Sequence, residues 1–286
     1  MLGDVSELGE FLKSKRSALA PESVGLPAVG NPRRVSGLRR EEVAQLAAMS
    51  VDHYTRLEQG RVTTASDSVL NGIATALRLT EAERTYLGIL AQPPTRARSG
   101  GGAGGGEAAG GTTVGPLVRD LLDAMRDVPV LVIDPRGDIV AWNTLAVALY
   151  FDFAEMPARE RNMIRMLFLE PRVRTMHRNW EEVASVSVAR MRMSVGLMPG
   201  DRRMAEVVSE LLDRDPDFRR WWGGHEVRAT DSFRKSFDHP VAGRMLLDWQ
   251  ALSVAADPDL TMIVFTAPPG SPTADSLRML ASWAAG

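Results

Sequence analysis

The chain of 286 residues carries 34 Lys and Arg against 36 Asp and Glu, a formal net charge of -2, with 44% hydrophobic and 24% charged residues. This is the composition of an ordinary soluble protein: the length favours two cores of roughly 100 to 200 residues, and no apolar run is long enough to span a bilayer. The absence of cysteine excludes disulfides, thiolate zinc sites and cysteine nucleophiles, and no series of charged, apolar and small residues resembling a secretion signal opens the sequence, so a cytoplasmic location is expected. Charge is unevenly spread, with 13 Lys and Arg against 11 Asp and Glu in residues 1–98, and 21 against 25 in the remainder. A mildly basic first part neither requires nor forbids a nucleic-acid partner, because a local basic surface matters and a net charge averages over every face.

Taken in chain order, Val5, Leu8 and Leu12 recur at helical spacing. Residues 20–37, with Pro21, Pro27, Pro32, Arg33 and Arg34, form an unusually long irregular connection. Two short helices joined by a tight turn follow: Leu38 to Ala47, a break at Ala48-Met49-Ser50, then Val51 to Gly60. Val43, Ala44 and Ala47 share one face of the first, Tyr54 and Leu57 one face of the second, and Gly60 stands where a left-handed C-cap belongs. Asp52, Thr55, Arg56 and Gln59 then point outward, a face that reads equally as solvated surface. A further helix carries Val69, Leu70, Ile73 and Leu77 behind a cap at Ser66 or Asp67, and Thr80-Glu81-Ala82-Glu83 forms a capping box for a helix with Ala82, Tyr86, Leu87 and Leu90.

The string LRREEVAQLA…SVDHYTRLEQGR resembles the helix-turn-helix of the xenobiotic-response-element repressor superfamily, and in particular the actinobacterial MmyB-like regulators, over roughly residues 8–91. The resemblance implies a phage-repressor-like, all-α DNA-binding domain that acts on a double-stranded operator as a homodimer. It places Val51, Asp52, Thr55 and Arg56 at base edges, with Arg56 suited to bidentate pairing with a guanine, a contact worth about 1–3 kcal/mol of discrimination. Arg40 and Arg61 are implied to hold phosphates, and Arg33 and Arg34, in the irregular connection, are read as a backbone-touching arm. An ion pair between Arg56 and Asp52, one turn back, is the alternative use of that side chain. Related motifs carry glycine in the turn where this sequence has Ala48, so Ala48 is expected in a left-handed conformation.

Residues 99–111, SGGGAGGGEAAGG, are dominated by glycine and offer almost no side chains to pack, which defines a tether at 93–113 between a DNA-binding domain at 1–92 and a second domain at 114–286. In the second domain Val130 to Ile133 reads as a buried strand, Asp134-Pro135-Arg136-Gly137 as a turn, and Asp138 to Trp142 as the returning strand, with Asn143 capping a helix. Further helices are expected at about 158–168, 179–196, 201–213 and 216–222, the second opened by a capping box at Asn179 to Glu182, and strands at Val227 to Ala229, Gly243 to Val254 and Leu260 to Ala267. The class is α+β, and a hairpin followed by a capped helix resembles the opening of a PAS-like domain. The strings RNMIRMLFLEPRVRTMHRNWEEVA, DPDFRRWWGGHEV, HPVAGRMLLDWQAL and TAPPGSPTADSLRMLASW resemble, in order, the ligand-binding domain of the MmyB-like regulators.

That resemblance implies a pocket for an apolar, fatty-acid-like ligand. Eight of the fourteen methionines fall between Met156 and Met204, and flexible thioethers suit either an adaptable cavity or a filled core. The expected lining is Trp142, Met163, Leu167, Trp180 and Met191, and Arg165, Arg190 and Arg192 read either as partners of an anionic head or as surface arginines. No metal is expected, since His177, His225 and His239 have no close ligand spacing; His239-Pro240 reads as a turn before a strand. No catalytic residues and no cofactor are expected, because no nucleophile elbow or phosphate-cradling loop appears. The other reading for residues 114–286 is a module for oligomerisation or protein docking alone.

Overall fold

The computed structural model describes residues 6–26, 37–91, 114–227 and 232–284, in which the chain forms two compact units, one drawn mainly from residues before 104 and one mainly from those after. Val5, Pro27, Pro32, Arg33, Arg34 and the glycine-rich segment lie outside the described residues.

The first unit is all-helical: α1 (Glu7–Ala18), α2 (Arg40–Leu46), α3 (Val51–Glu58), α4 (Asp67–Ala76) and α5 (Glu81–Ala91). Short polar side chains start them by taking N–H groups that the helix leaves orphaned. Ser6 accepts from Gly9 at 3.2 Å, Ser50 from His53 at 3.2 Å and Ser66 from Val69 at 3.4 Å, so Ser66 rather than Asp67 caps α4. Thr80 and Glu83 form the expected reciprocal box, at 2.8 and 3.4 Å. Phe11, Val43, Ala44, Tyr54, Leu57, Ile73, Tyr86 and Leu87 fill the core, with Phe11 edge-on to Tyr86 at 5.2 Å.

The α2–α3 turn is tight and strained. Met49 N–H returns to the Ala44 carbonyl at 2.9 Å, and Ala48 takes φ 53°, the left-handed conformation expected of it. Helix α4 crosses this turn so closely that a Cβ on Gly72 would lie 2.6 Å from the Ala47 carbonyl oxygen. A left-handed L-residue costs about 1–2 kcal/mol, so Ala48→Gly is expected to raise the melting temperature of the first unit by a few degrees in a calorimetric scan. An unchanged or lower value would show that the turn relaxes without strain.

The second unit is α+β. Helix α6 (Pro116–Ala124) precedes the hairpin β1 (Val130–Ile133) and β2 (Ile139–Trp142), whose Asp134–Gly137 turn has Gly137 at φ 82°. Next come α7 (Thr144–Leu149), α8 (Met163–Leu169), α9 (Pro171–Met176), α10 (Trp180–Leu197), α11 (Arg202–Arg214) and α12 (Pro216–Gly223). The chain closes with β3 (Ser232–His239), β4 (Gly243–Ser253), β5 (Thr261–Thr266) and α13 (Pro272–Ala284). The strands form one antiparallel sheet in the order β2-β1-β5-β4-β3. Alternation divides the sheet into two faces. Val130, Val132, Met262 and Val264 pack with Val118 and Leu122 of α6, whereas Leu131 and Ile133 look the other way.

Buried amides join these layers. Asn143 Oδ1 accepts from Ala146 and Val130 N–H, both at 3.0 Å, while its Nδ2 donates to the Met125 and Val128 carbonyls at 2.6 and 2.7 Å. Asn162 caps α8 through Ile164 and Arg165 N–H and donates to the Arg136 carbonyl and Asp138. That cap is why the helix expected at 158–168 is split into a single 3-10 turn, Ala158–Glu160, and α8. Asn179 makes no capping box: its Oδ1 accepts from Ser236 N–H at 2.9 Å and its Nδ2 donates to Glu182 and to the Arg234 carbonyl, stitching the start of α10 to β3. The third strand begins at Ser232, after the expected Val227 to Ala229, of which residues 228–229 are outside the described chain. Helices α6, α9 and α13 are additions to the expected set. His239 ends β3, its Nδ1 accepting from Val241 and Ala242 N–H of the following turn and its Nε2–H donating to the Ala148 carbonyl.

Candidate functional site

In the first unit, the exposed side of α3 faces away from the core formed by Tyr54 and Leu57. Val51 is 43% exposed, Asp52 and Arg56 are exposed, and Thr55 is half-buried, so the four expected base-facing residues share one accessible surface. Arg56 and Asp52 approach to only 4.0 Å with both side chains largely in solvent, a pair worth little and easily broken. Arg61 is exposed just beyond the left-handed Gly60. Arg40, at the first turn of α2, is held: its guanidinium reaches Glu58 Oε1 at 2.9 and 3.0 Å while remaining 43% exposed.

The anchor of that arrangement is a buried ion pair that sequence reasoning missed. Arg16 of α1 grips Glu58 of α3 with two hydrogen bonds of 2.8 Å and donates a third, 2.7 Å, to the Leu38 carbonyl. Burial alone raises the Glu58 carboxyl, but the hydrogen bonds and charges of Arg16 and Arg40 hold it below the usual carboxylate range. The pair fixes α3 against α1 and places Arg40 beside the exposed face. Arg16 sits at i+4 from Leu12 and i+5 from Phe11, in the apolar stripe of α1, which is the sequence signal that points to it.

In the second unit a cavity of about 200 Å³ lies between the sheet and helices α8, α10 and α11. Leu131, Ile133 and Ile139 supply the sheet side, and Met163, Met166, Leu167, Met191 and Met204 the helical side. Three of the five residues expected to line a pocket, Met163, Leu167 and Met191, meet here; Trp142 and Trp180 do not. Trp180 is committed elsewhere, its Nε1–H donating to the Leu167 carbonyl at 2.8 Å beneath Arg174. Trp142 packs on Phe153, and the Arg161 guanidinium lies 5.5 Å from its ring centroid.

Polar groups share this wall. Arg190 lines it and lies 4.9 Å over the Trp249 ring, whereas Arg165 is tied bidentately to Glu210 and Arg192 is wholly buried outside the cavity. Lys235, His177, Tyr150, Phe233 and Trp249 also line it, all missed from the sequence. Burial, then the charge of Lys235, pushes His177 down to about 3, so its ring is neutral, with Nδ1–H donating to the Val173 carbonyl. Phe233, Lys235 and Phe237 alternate with exposed or half-buried residues, so Lys235 occupies the inward phase of β3.

Two matches define the class. Residues 7–87 match a helix-turn-helix domain family, and residues 114–280 match the MmyB-like transcription regulator ligand binding domain. The protein is thus a DNA-binding transcription regulator with a ligand-binding domain, and it belongs to the MmyB-like transcription regulators. No curated protein matches the chain. No helix among the described residues is long and apolar enough to cross a membrane.

Proposed function

We propose that α3 reads operator bases through Val51, Asp52, Thr55 and Arg56, that Arg40, Arg61, Arg33 and Arg34 hold phosphates, and that an apolar, fatty-acid-like ligand in the cavity of the second domain controls this cytoplasmic regulator. Domain bounds of 1–92 and 114–286, joined by a tether at 93–113, accompany the proposal. The observation that carries it is the exposed, polar face of α3 opposite buried Tyr54 and Leu57, with Arg56 bound only loosely to its neighbour. A homodimer presents two such helices to major grooves about 34–36 Å apart. The strand order β2-β1-β5-β4-β3, with helices α8 and α10 over one face, supports the PAS-like reading, and the cavity supports a bound molecule over a filled core.

The roles separate in a binding assay on a duplex recovered from a randomised pool. Arg56→Ala is expected to lose about 1–3 kcal/mol of discrimination at one base pair, whereas Arg61→Ala weakens all duplexes alike and lowers the salt slope by about one ion. Identical behaviour of the two variants removes the base-reading role of Arg56.

A second reading of the C-terminal domain, oligomerisation, is favoured by exposed Leu117 and Leu121 on α6 and Met279 and Trp283 on α13. Native mass spectrometry of the full chain decides between the two: a dimer carrying a small-molecule adduct supports ligand control, and a bare dimer retained after delipidation and unaffected by any added ligand supports oligomerisation alone.

A further inference from the structure

The cavity wall holds one buried cation that has no acceptor among the described residues. Lys235 is 4% exposed and points from β3 among aromatic rings, its Nζ 5.6 Å from the centroid of Phe233, 5.9 Å from Trp249 and 5.4 Å from Phe265. Among the described residues no carboxylate or carbonyl accepts a hydrogen bond from it. Arg190, on the facing helix α10, brings a second cation to the Trp249 ring. The wall's acidic residue, Asp134, is occupied within its own turn by Arg136 and Asp138 N–H and by the Arg136 guanidinium. Trp249 adds a buried indole N–H with no acceptor, and His177 a buried Nε2 with no donor. Buried polar groups are ordinarily satisfied, and a buried cation is stable only with a counter-charge, so this polar cluster is incomplete among the described residues.

We propose that the cavity is a binding site for an organic acid, with the Lys235 ammonium meeting the carboxylate and the aromatic and aliphatic walls enclosing a compact apolar body. The inference rests on the ligand-binding role given to the cavity above. Size supports a compact occupant: a dry cavity of about 150 Å³ holds benzene, so the roughly 200 Å³ here holds a ring or short chain together with a carboxylate. Neutral apolar molecules fill the same walls but leave the amine unanswered.

Binding is coupled to protonation. Burial, then the charge of Arg190, brings the Lys235 amine down to about 7 when the cavity is empty. The other groups facing the cavity do not compete for this proton: His177 from the end of α9 is neutral, burial keeps the Tyr150 phenol after α7 protonated, and Asp134 in the β1–β2 turn is bonded to Arg136. A carboxylate beside Lys235 favours its ammonium form and raises that pKa. Above neutrality, acid binding therefore takes up a proton, and affinity falls as pH rises; below it, affinity is flat.

The test is calorimetric titration of the full-length protein with phenylacetate and octanoate, each against its neutral amide. The expected result is that at least one acid binds about tenfold or more tightly than its amide, with affinity falling up to about tenfold per pH unit above about pH 7 and a heat that depends on buffer ionisation. Lys235→Met abolishes the preference for the acid and raises the melting temperature of the unliganded protein, which shows that it folds; Lys235→Arg keeps the preference but loses the pH dependence. Equal affinity for acid and amide, or an acid preference surviving in Lys235→Met, overturns the proposal. Binding of amides without acids overturns it while leaving the ligand-binding role intact, and binding of neither class removes both.

Discussion

Glu58→Gln is expected to lower the stability of the helix-turn-helix unit by about 3–5 kcal/mol, because it leaves the Arg16 guanidinium buried without its counter-charge. Glu58 is 1% and Arg16 10% exposed at the side chain, so water replaces neither partner. A loss of this size is a large part of the total stability of a small domain, and denaturant unfolding of the full chain followed by circular dichroism reads it as an early first transition. Arg40→Ala, which removes the half-exposed partner, is expected to cost only about 0–1 kcal/mol. The acid limb distinguishes them further. The Glu58 carboxyl titrates below its ordinary range, so its contribution is complete above that range and disappears as pH falls through the lowered value. Glu58→Gln lacks this acid-side decline. Coincident unfolding of wild type and Glu58→Gln at neutral pH contradicts a stabilising role for the buried pair.

Asn143→Ala is the matching change in the second unit. One amide serves four backbone groups, from Met125 and Val128 through Val130 to Ala146, and alanine leaves all of them without it. The Ala146 N–H keeps its bond to the residue-143 carbonyl and the Met125 and Val128 carbonyls are half-buried, so at about 1–3 kcal/mol for a buried group left unsatisfied a loss of about 2–4 kcal/mol is expected. Differential scanning calorimetry reads this as a lowered second-unit transition with the first preserved. A variant that keeps both transitions near their wild-type temperatures shows that water or a shifted loop replaces the amide.

Local chemistry explains which elements were legible in the sequence. Ser66, Thr80 and, in its capping bond to Ala146, Asn143 act on backbone three residues on, so these caps and the helices that follow could be read from neighbouring letters alone. The same holds for the Asp134–Gly137 turn, whereas the left-handed Ala48 was implied by the glycine that related motifs carry there. What escaped depends on distant partners. Asn179 looks like a cap, but spends its carboxamide on β3, more than fifty positions away. β3 itself was hidden because Arg234, Lys235 and Asp238 give it the composition of a loop, although Phe233 and Phe237 mark its inward phase. The cavity was half visible: the methionines of α8 and α10 announced an apolar wall, whereas Lys235, Trp249 and Tyr150 arrive from other elements only once the sheet is assembled. Trp142 and Trp180, also expected in it, are engaged elsewhere, Trp142 by Phe153 and Arg161 and Trp180 by Arg174 and the Leu167 carbonyl. The Arg16–Glu58 pair was missed for the reason that applies to Asn179, its members being 42 positions apart, although the place of Arg16 in the apolar stripe of α1 marks it for burial.

Base reading by α3 is tested by selection of duplexes from a randomised pool by the full-length protein at physiological salt. Operator reading by α3 of a homodimer predicts enrichment of a two-fold symmetric sequence with half-sites about 10 base pairs apart, and loss of preference at one position of each half-site with Arg56→Ala. Recovery of duplexes with no common sequence, at an affinity governed only by salt, would contradict it.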